Sequence, residues 1–172
     1  MNGKVIRKWF WAWNFEAEEK WLNQMAQKGW VLEDVGFCKF RFVSAEPGAY
    51  AVRMEMMEEM PNSEKGMDYI GFIEETGAEY IGSVMKWAYF RKKVEDGEFE
   101  LFSDIDSRIR HLDRMMKSIG MVGAANLAIG MSNLRLNGLG LINIACAALL
   151  GYCVWRIKGK KDRLNAERVL HE

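Results

Sequence analysis

Residues 118–155, SIGMVGAANLAIGMSNLRLNGLGLINIACAALLGYCVW, run for nearly forty positions with one charged side chain, Arg135, near the middle. A helix rises ~1.5 Å per residue and a bilayer's hydrocarbon core is ~30 Å thick. Two segments divided at Arg135 are therefore each just long enough to cross, which predicts a transmembrane helical hairpin of 118–134 and 136–155. The first segment is the weaker span, because Gly120, Gly123, Asn126 and Gly130 dilute its apolarity. An amphipathic hairpin packed on a soluble domain is the competing reading, and the flanking charges decide against it. Arg108, Arg110, His111, Arg114 and Lys117 precede the hairpin, and Arg156, Lys158, Lys160, Lys161 and Arg163 follow it. By the positive-inside rule both ends face the cytosol, with Tyr152 and Trp155 as an aromatic belt at that interface.

The faces of the hairpin carry a second expectation. Gly120, Ala124, Ala128 and Ser132 form a ribbon of small residues at i+4 steps. Gly123, Asn126, Gly130 and Asn133 form another about half a turn away. Gly140, Asn143, Ala147 and Gly151 form a ribbon on the second segment, which has room for one of the two. Small residues let helices approach closely, so one face should pack on the second segment, with Asn126 and Asn143 as candidate hydrogen-bond partners at mid-depth. The other face should meet a second protomer or a different membrane protein. The basic tail at Arg156, Lys158, Lys160 and Lys161 reads as a topology signal, or as a site for anionic lipid headgroups.

Everything before residue 103 reads as water-soluble, with enough apolar residues to bury a core. Its expected organisation is a cytosolic α+β domain over 1–100, an amphipathic stalk helix over 103–117, the hairpin over 118–155 and a basic tail over 156–172. Ser103-Asp104-Ile105-Asp106 has capping-box form at the stalk's start. The charge balance, 24 basic against 24 acidic residues in 172, gives no sign of a nucleic-acid partner. Three cysteines, Cys38, Cys146 and Cys153, make neither an even framework nor a CxxC metal spacing, consistent with a reducing compartment. The start, MNGKVIRKWFWAW, lacks the continuous apolar core of a signal peptide.

Within 1–100 the pattern predicts a strand over Val5–Trp13, with Trp9, Trp11 and Trp13 on one side, and a helix over about 15–28 capped by Asn14. Strands over Trp30–Val35 and Phe37–Val43 follow, and the same order then repeats. A strand occupies 50–56, a helix opened by Pro61-Asn62-Ser63 carries Met67, Ile70 and Ile73, and strands take Ala78–Val84 and Lys86–Lys92. This predicts two tandem strand-helix-strand-strand units, with a period of about 48 residues. Together they would form one antiparallel or mixed sheet of about six strands, with two helices on one face.

Chemistry is sparse. The two histidines, His111 and His171, lie outside this domain, so a His-based metal site or Ser/His arrangement within it is unavailable. No Gly-Lys-Ser or Gly-Lys-Thr phosphate loop occurs. Cys38 reads as a buried inert thiol and Glu16, Glu18, Glu19, Glu58, Glu59, Glu74 and Glu75 as solvated surface. The candidates that remain are Trp9, Trp11, Trp13, Trp30, Trp87 and Tyr89 with Arg41, Arg53 and Glu55. They are either core with surface ion pairs, or a cleft that orients a small amphipathic molecule. No catalytic, cofactor or metal residue is assigned, and a non-enzymatic role is expected.

WAWNFEAEEKWLNQMAQKGW, LEDVGFCKFRFVSAEPGAYAVRMEM, YIGFIEETGAEYIGSVMKWAYFRKK and FELFSDIDSRIRH together resemble the family of the domain of unknown function 2812 over about residues 8–113. Trp13-Asn14-Phe15-Glu16 and Glu75-Thr76-Gly77-Ala78-Glu79-Tyr80 are its most specific parts. The resemblance implies a bacterial, membrane-associated protein with a C-terminal pair of membrane helices. Association with PadR-like transcriptional regulators implies envelope sensing or regulation, and no catalytic residue carries over. The doubled unit is also similar, at the level of fold, to the ligand-binding modules of drug-sensing GyrI-like proteins. The expected function is a membrane-anchored, cytosol-facing binding or regulatory protein. The alternative is a sensing module for a lipophilic small molecule, with an enzyme last.

Overall fold

Strand, helix, strand, strand is the order of the first ninety or so residues, twice over. The computed structural model describes residues 3–101, 105–134 and 139–171. It is an α+β structure of two three-stranded antiparallel sheets and four helices. The chain divides into two units, Met1–Leu101 and Phe102–Glu172.

In the first unit β1 (Gly3–Arg7), β2 (Trp30–Gly36) and β3 (Lys39–Ser44) form a sheet of order β1-β3-β2, with α1 (Phe15–Gln27) between β1 and β2 in the chain. The second sheet, of β4 (Tyr50–Met56), β5 (Glu79–Val84) and β6 (Trp87–Lys93), has the same order, β4-β6-β5, and α2 (Glu64–Glu75) precedes β5. The expected single six-stranded sheet is thus corrected to two. Register breaks between Leu32 and Asp34 in β2 and between Tyr80 and Gly82 in β5. A bulge bends a strand and disrupts its ladder. The two bulged strands, β2 and β5, lie next to each other, and Arg91 of β6, the central strand of the second sheet, donates from Nη1 to the Leu32 carbonyl of β2 at 2.9 Å.

The first strand also ends earlier than its alternating tryptophans suggest. Lys39 is the first residue of β3 and pairs with Arg7, the last of β1; beyond it β3 gives way to a turn. One further bond, from the Lys8 N–H to the Cys38 carbonyl at 3.1 Å, closes the ladder. Trp9 and Trp11 lie in the loop that follows, and Trp13 in a 3₁₀ turn, Ala12–Asn14, leading into α1. Asn14 sits at the α1 N-cap position without making a side-chain capping bond. At α2 the expected cap is made: Ser63 Oγ accepts from the Gly66 N–H at 3.1 Å.

Helix α1 joins the halves. Leu22, Met25 and Ala26 are buried, and one core cluster unites Leu22, Leu32 and Phe42 of the first half with Val52, Met54 and Tyr89 of the second. Its outer residues close the free edge of β4. The Asn23 side chain accepts from the Val52 N–H at 2.9 Å and donates to the Val52 carbonyl at 2.8 Å. Glu19 Oε2 accepts from the Met54 N–H at 3.1 Å. An open strand edge is a pairing hazard, and here two side chains occupy it. A second cluster holds Met57, Ile70, Ile73, Phe90 and Phe99; Met67 of α2 is exposed.

The second unit is an antiparallel pair, α3 (Ile105–Asn133) and α4 (Leu139–His171). The segments expected as stalk and first span are one unbroken helix, α3, and those expected as second span and basic tail are another, α4. The expected capping-box residues Ser103 and Asp104, and Arg135 between the segments, lie outside the described residues. Away from the connection the helices are clasped by Lys161–Asp113 at 2.6 Å and Arg168–Asp106 at 3.0 Å. Nearer it they close on glycines: a Cβ on Gly130 would meet Ile144 Cγ1 at 2.8 Å, and one on Gly140 the Gly130 carbonyl at 2.6 Å. Among the described residues one stretch, Gly140–Arg168, is long and apolar enough to cross a membrane.

Candidate ligand cleft

Three loops and a helix of the first unit converge on a cavity of about 210 Å³. The loop after β1 brings Lys8, Trp9, Phe10 and Trp11, the start of α1 brings Phe15 and Glu18, and the β2–β3 turn brings Phe37 and Cys38. The β5–β6 turn adds Val84 and Met85, while Phe40, Met54, Trp87 and Tyr89 line it from the strands.

Its mouth is apolar where a turn would ordinarily be polar. Trp9, Phe37 and Met85 are 56%, 72% and 78% exposed. At the two hairpin tips Cys38 (φ +53°) and Met85 (φ +55°) hold the left-handed conformation that glycine or asparagine adopts at lower cost. Trp9 meets Trp11 and Phe37 edge-on, at centroid distances of 5.7 and 5.9 Å, and Trp11 stacks on Trp13 at 4.8 Å. Phe15 lies against Trp87 at 5.6 Å.

At the inner end is a carboxylate. Glu18, 8% exposed, accepts a 2.7 Å hydrogen bond from the Tyr89 hydroxyl. Burial pushes the Glu18 carboxyl up from its ordinary 4.5, with the Tyr89 bond pulling the other way. Burial, then the Glu18 charge and its hydrogen bond, likewise raise the Tyr89 hydroxyl above its usual range. Lys8, the cation among the lining residues, turns its ammonium onto ring faces, 4.5 Å from the centroid of Trp21 and 4.9 Å from that of Phe10.

Of the residues singled out from sequence, Trp9, Trp11, Trp87 and Tyr89 come together here. Trp13 stands behind Trp11, and Trp30 packs on the core. Arg41, Arg53 and Glu55 are not in the lining: Arg41 pairs with Glu33 and Asp34, Arg53 with Glu19, and buried Glu55 accepts from the Tyr69 hydroxyl at 2.6 Å. Glu18 reverses its expectation as solvated surface, and Cys38, expected to be buried, is half-buried on the cleft wall. The signal for Glu18 was present but weak, since it lies four residues before Leu22 on the apolar face of α1.

In the second unit the ribbon of Gly123 and Gly130 faces α4, with Leu150 at 3.4 Å from a Cβ on Gly123. Asn126 donates to the Val122 carbonyl of its own helix, in place of the expected bond to Asn143, which is half-buried. Gly120, Ala124 and Ala128 are left on outward positions, and so is Gly151, whose Cβ would meet nothing within 4 Å. Ala147 is half-buried. Arg156 donates to the Tyr152 hydroxyl at 3.1 Å, Lys161 is held by Asp113, and Lys158 and Lys160 lie on the same stretch of α4.

No curated protein and no solved structure matches the chain. A family model described as a protein of unknown function (DUF2812) matches residues 14–124, from the start of α1 through the cleft and along most of α3. That span is well over half of the chain and contains both Glu18 and Tyr89, and the protein belongs to the DUF2812 family.

Proposed function

We propose that the first unit is a non-enzymatic binding module for a small lipophilic molecule. It would be anchored to a membrane by the second unit, with both chain ends on the cytosolic side of a bacterial envelope. The observation that carries the binding role is the cleft itself: an aromatic-walled cavity with one buried carboxylate. Most large apolar side chains are turned inward in folding, and a concave apolar site with a few convergent polar groups is the usual form of a ligand site. Exposed Trp9, Phe37 and Met85 at its rim are otherwise costly, and Cys38 and Met85 add backbone strain.

The membrane reading draws on the exposed Met121, Val122, Leu127, Ile129 and Met131 of α3 and Leu141, Ile142 and Leu149 of α4. Side chains of this kind are stable against lipid and unstable against water. Two spans, a regulatory role in envelope sensing, and self-association through the outward ribbon at Gly120, Ala124 and Ala128 belong to the same proposal. Internal duplication of the strand-helix-strand-strand unit does too. It draws on the shared strand order, on bulges at matching places, and on left-handed Gly29 and Gly77 after α1 and α2.

Intrinsic tryptophan fluorescence tests the binding role, because Trp9, Trp11 and Trp87 line the cavity. Titration of the full chain with lipophilic cations and anions should quench or shift it for at least one class. A flat response across both classes would sink the reading.

A further inference from the structure

The charge of the lining points to a ligand class. Two of its side chains are charged groups, Glu18 and Lys8. Lys8 is already engaged on the faces of Trp21 and Phe10, which leaves Glu18 as the charge presented to an occupant. That carboxylate lies among aromatic and thioether side chains, where low polarity strengthens any charge interaction compared with water. An anion there would meet a like charge, and a neutral molecule would cover the carboxylate without replacing its hydration. A cation is attracted twice, by the carboxylate and by the electron-rich ring faces. Lys8 shows that rings beside this cleft do accept an ammonium group.

Size narrows the class further. The 210 Å³ cavity is smaller than the roughly 300–1,000 Å³ of sites for drug-sized molecules. One ring with a compact charged head is therefore the scale of the buried part.

We infer that the cleft selects a small organic cation, an amine or quaternary ammonium group on an apolar body, and that the Glu18 carboxylate reads its charge. This rests on the ligand-binding role proposed above. Tyr89 is the positioning residue: its 2.7 Å bond fixes one carboxylate oxygen of Glu18.

A matched pair of water-soluble probes tests it on the full chain in detergent or nanodiscs. Benzyltrimethylammonium and phenylmethanesulfonate share a benzyl group and a tetrahedral head and differ in sign of charge. Tryptophan fluorescence should give the cation at least about tenfold tighter binding. Glu18→Gln keeps the shape and the hydrogen bond from Tyr89 and should bring the two affinities to near equality. Tyr89→Phe keeps the carboxylate but releases the oxygen that Tyr89 holds, and should narrow the cation preference without removing it, which keeps the assignment testable if Glu18→Gln misfolds. An unchanged preference would take the positioning role from Tyr89. Equal wild-type affinities would overturn the cation assignment and leave the ligand cleft standing. A preference that survives Glu18→Gln would remove Glu18 from the role. No response to either probe in the folded wild type would bring down the binding role itself.

Discussion

Glu18 on α1 and Glu55 on β4 are the buried carboxylates among the described residues of the first unit, and each accepts a hydrogen bond from a tyrosine, Tyr89 at 2.7 Å and Tyr69 at 2.6 Å. Their settings differ. Tyr69 belongs to the same half as Glu55, and neither residue lines the cleft. Glu18 reaches from the first half to a tyrosine of the second and faces a cavity. A buried glutamate with a tyrosine donor is thus by itself a structural device, because the pair satisfies two polar groups at once. The cavity turns one such pair into a candidate site.

The comparison depends on the two halves folding as one body, and the largest expected effects test that. Phe42→Ala and Phe90→Ala each empty a fully buried position, one in each sheet, and should each cost about 3–5 kcal/mol. Because the Asn23–Val52 lock and the shared core cluster cross between halves, the first unit should unfold in denaturant in one transition in both variants. Two separate transitions would mean that the sheets stand alone and that the cleft is a joint between independent bodies.

Next in size is the pair assigned to structure. Glu55→Ala removes the acceptor of the Tyr69 hydroxyl and should cost about 1–3 kcal/mol, read as a lower melting temperature with probe binding unchanged. Loss of binding at unchanged stability would contradict the division of roles. Asn23→Ala strips two hydrogen bonds from the edge of β4 and should cost about 1–2 kcal/mol. Faster amide exchange at Val52 than in the wild type would report it locally.

The smallest effect is a matter of sign. Burial raises the Glu18 carboxyl above 4.5, so the folded state favours its protonated form. That contribution is fully present below the unfolded value and is lost as pH rises through the folded one. Glu18→Gln, neutral throughout, still bonded to Tyr89 and in a lining that includes Cys38 and Lys8, should gain melting temperature relative to the wild type as pH increases from about 4.5. A gap that is constant with pH would mean that Glu18 is as well solvated in the folded chain as in the unfolded one. A variant more stable at neutral pH yet weaker in cation binding is the signature of a residue kept for function at a cost to the fold.

Much of this was legible from residue patterns, at particular places. The stripe Leu22, Met25, Ala26 gave α1, the Ser63 cap gave α2, and the alternation from Tyr50 to Met56 gave β4, because each depends on neighbours in the chain. The tryptophans at 9, 11 and 13 misled for the opposite reason: period two is a strand signal only where a partner strand continues, and β3 starts at Lys39. Arg41, Arg53 and Glu55 sit on strands neighbouring the tryptophans, which suggests the cleft from sequence, yet each is held elsewhere by an ion pair or hydrogen bond from outside its own strand. Glu18 gives little signal in the sequence, since a glutamate in a first helical turn is usually solvated.

By itself the sequence determined the order of elements, the division near residue 101, the apolar character of the C-terminal helix, and the closeness with which glycines let the last two helices approach. These follow from local periodicity, charge placement and the absence of a side chain, which no distant contact is needed to read. The tertiary structure alone decided that six strands make two sheets, that Gly123 and Gly130 are the ribbon that meets α4, and that Glu18 faces a cavity with Tyr89. Each of those depends on which surfaces meet across tens of residues, and a bulge, an edge left open for a side chain or a carboxylate four positions from a core leucine acquires its meaning only when its partner arrives.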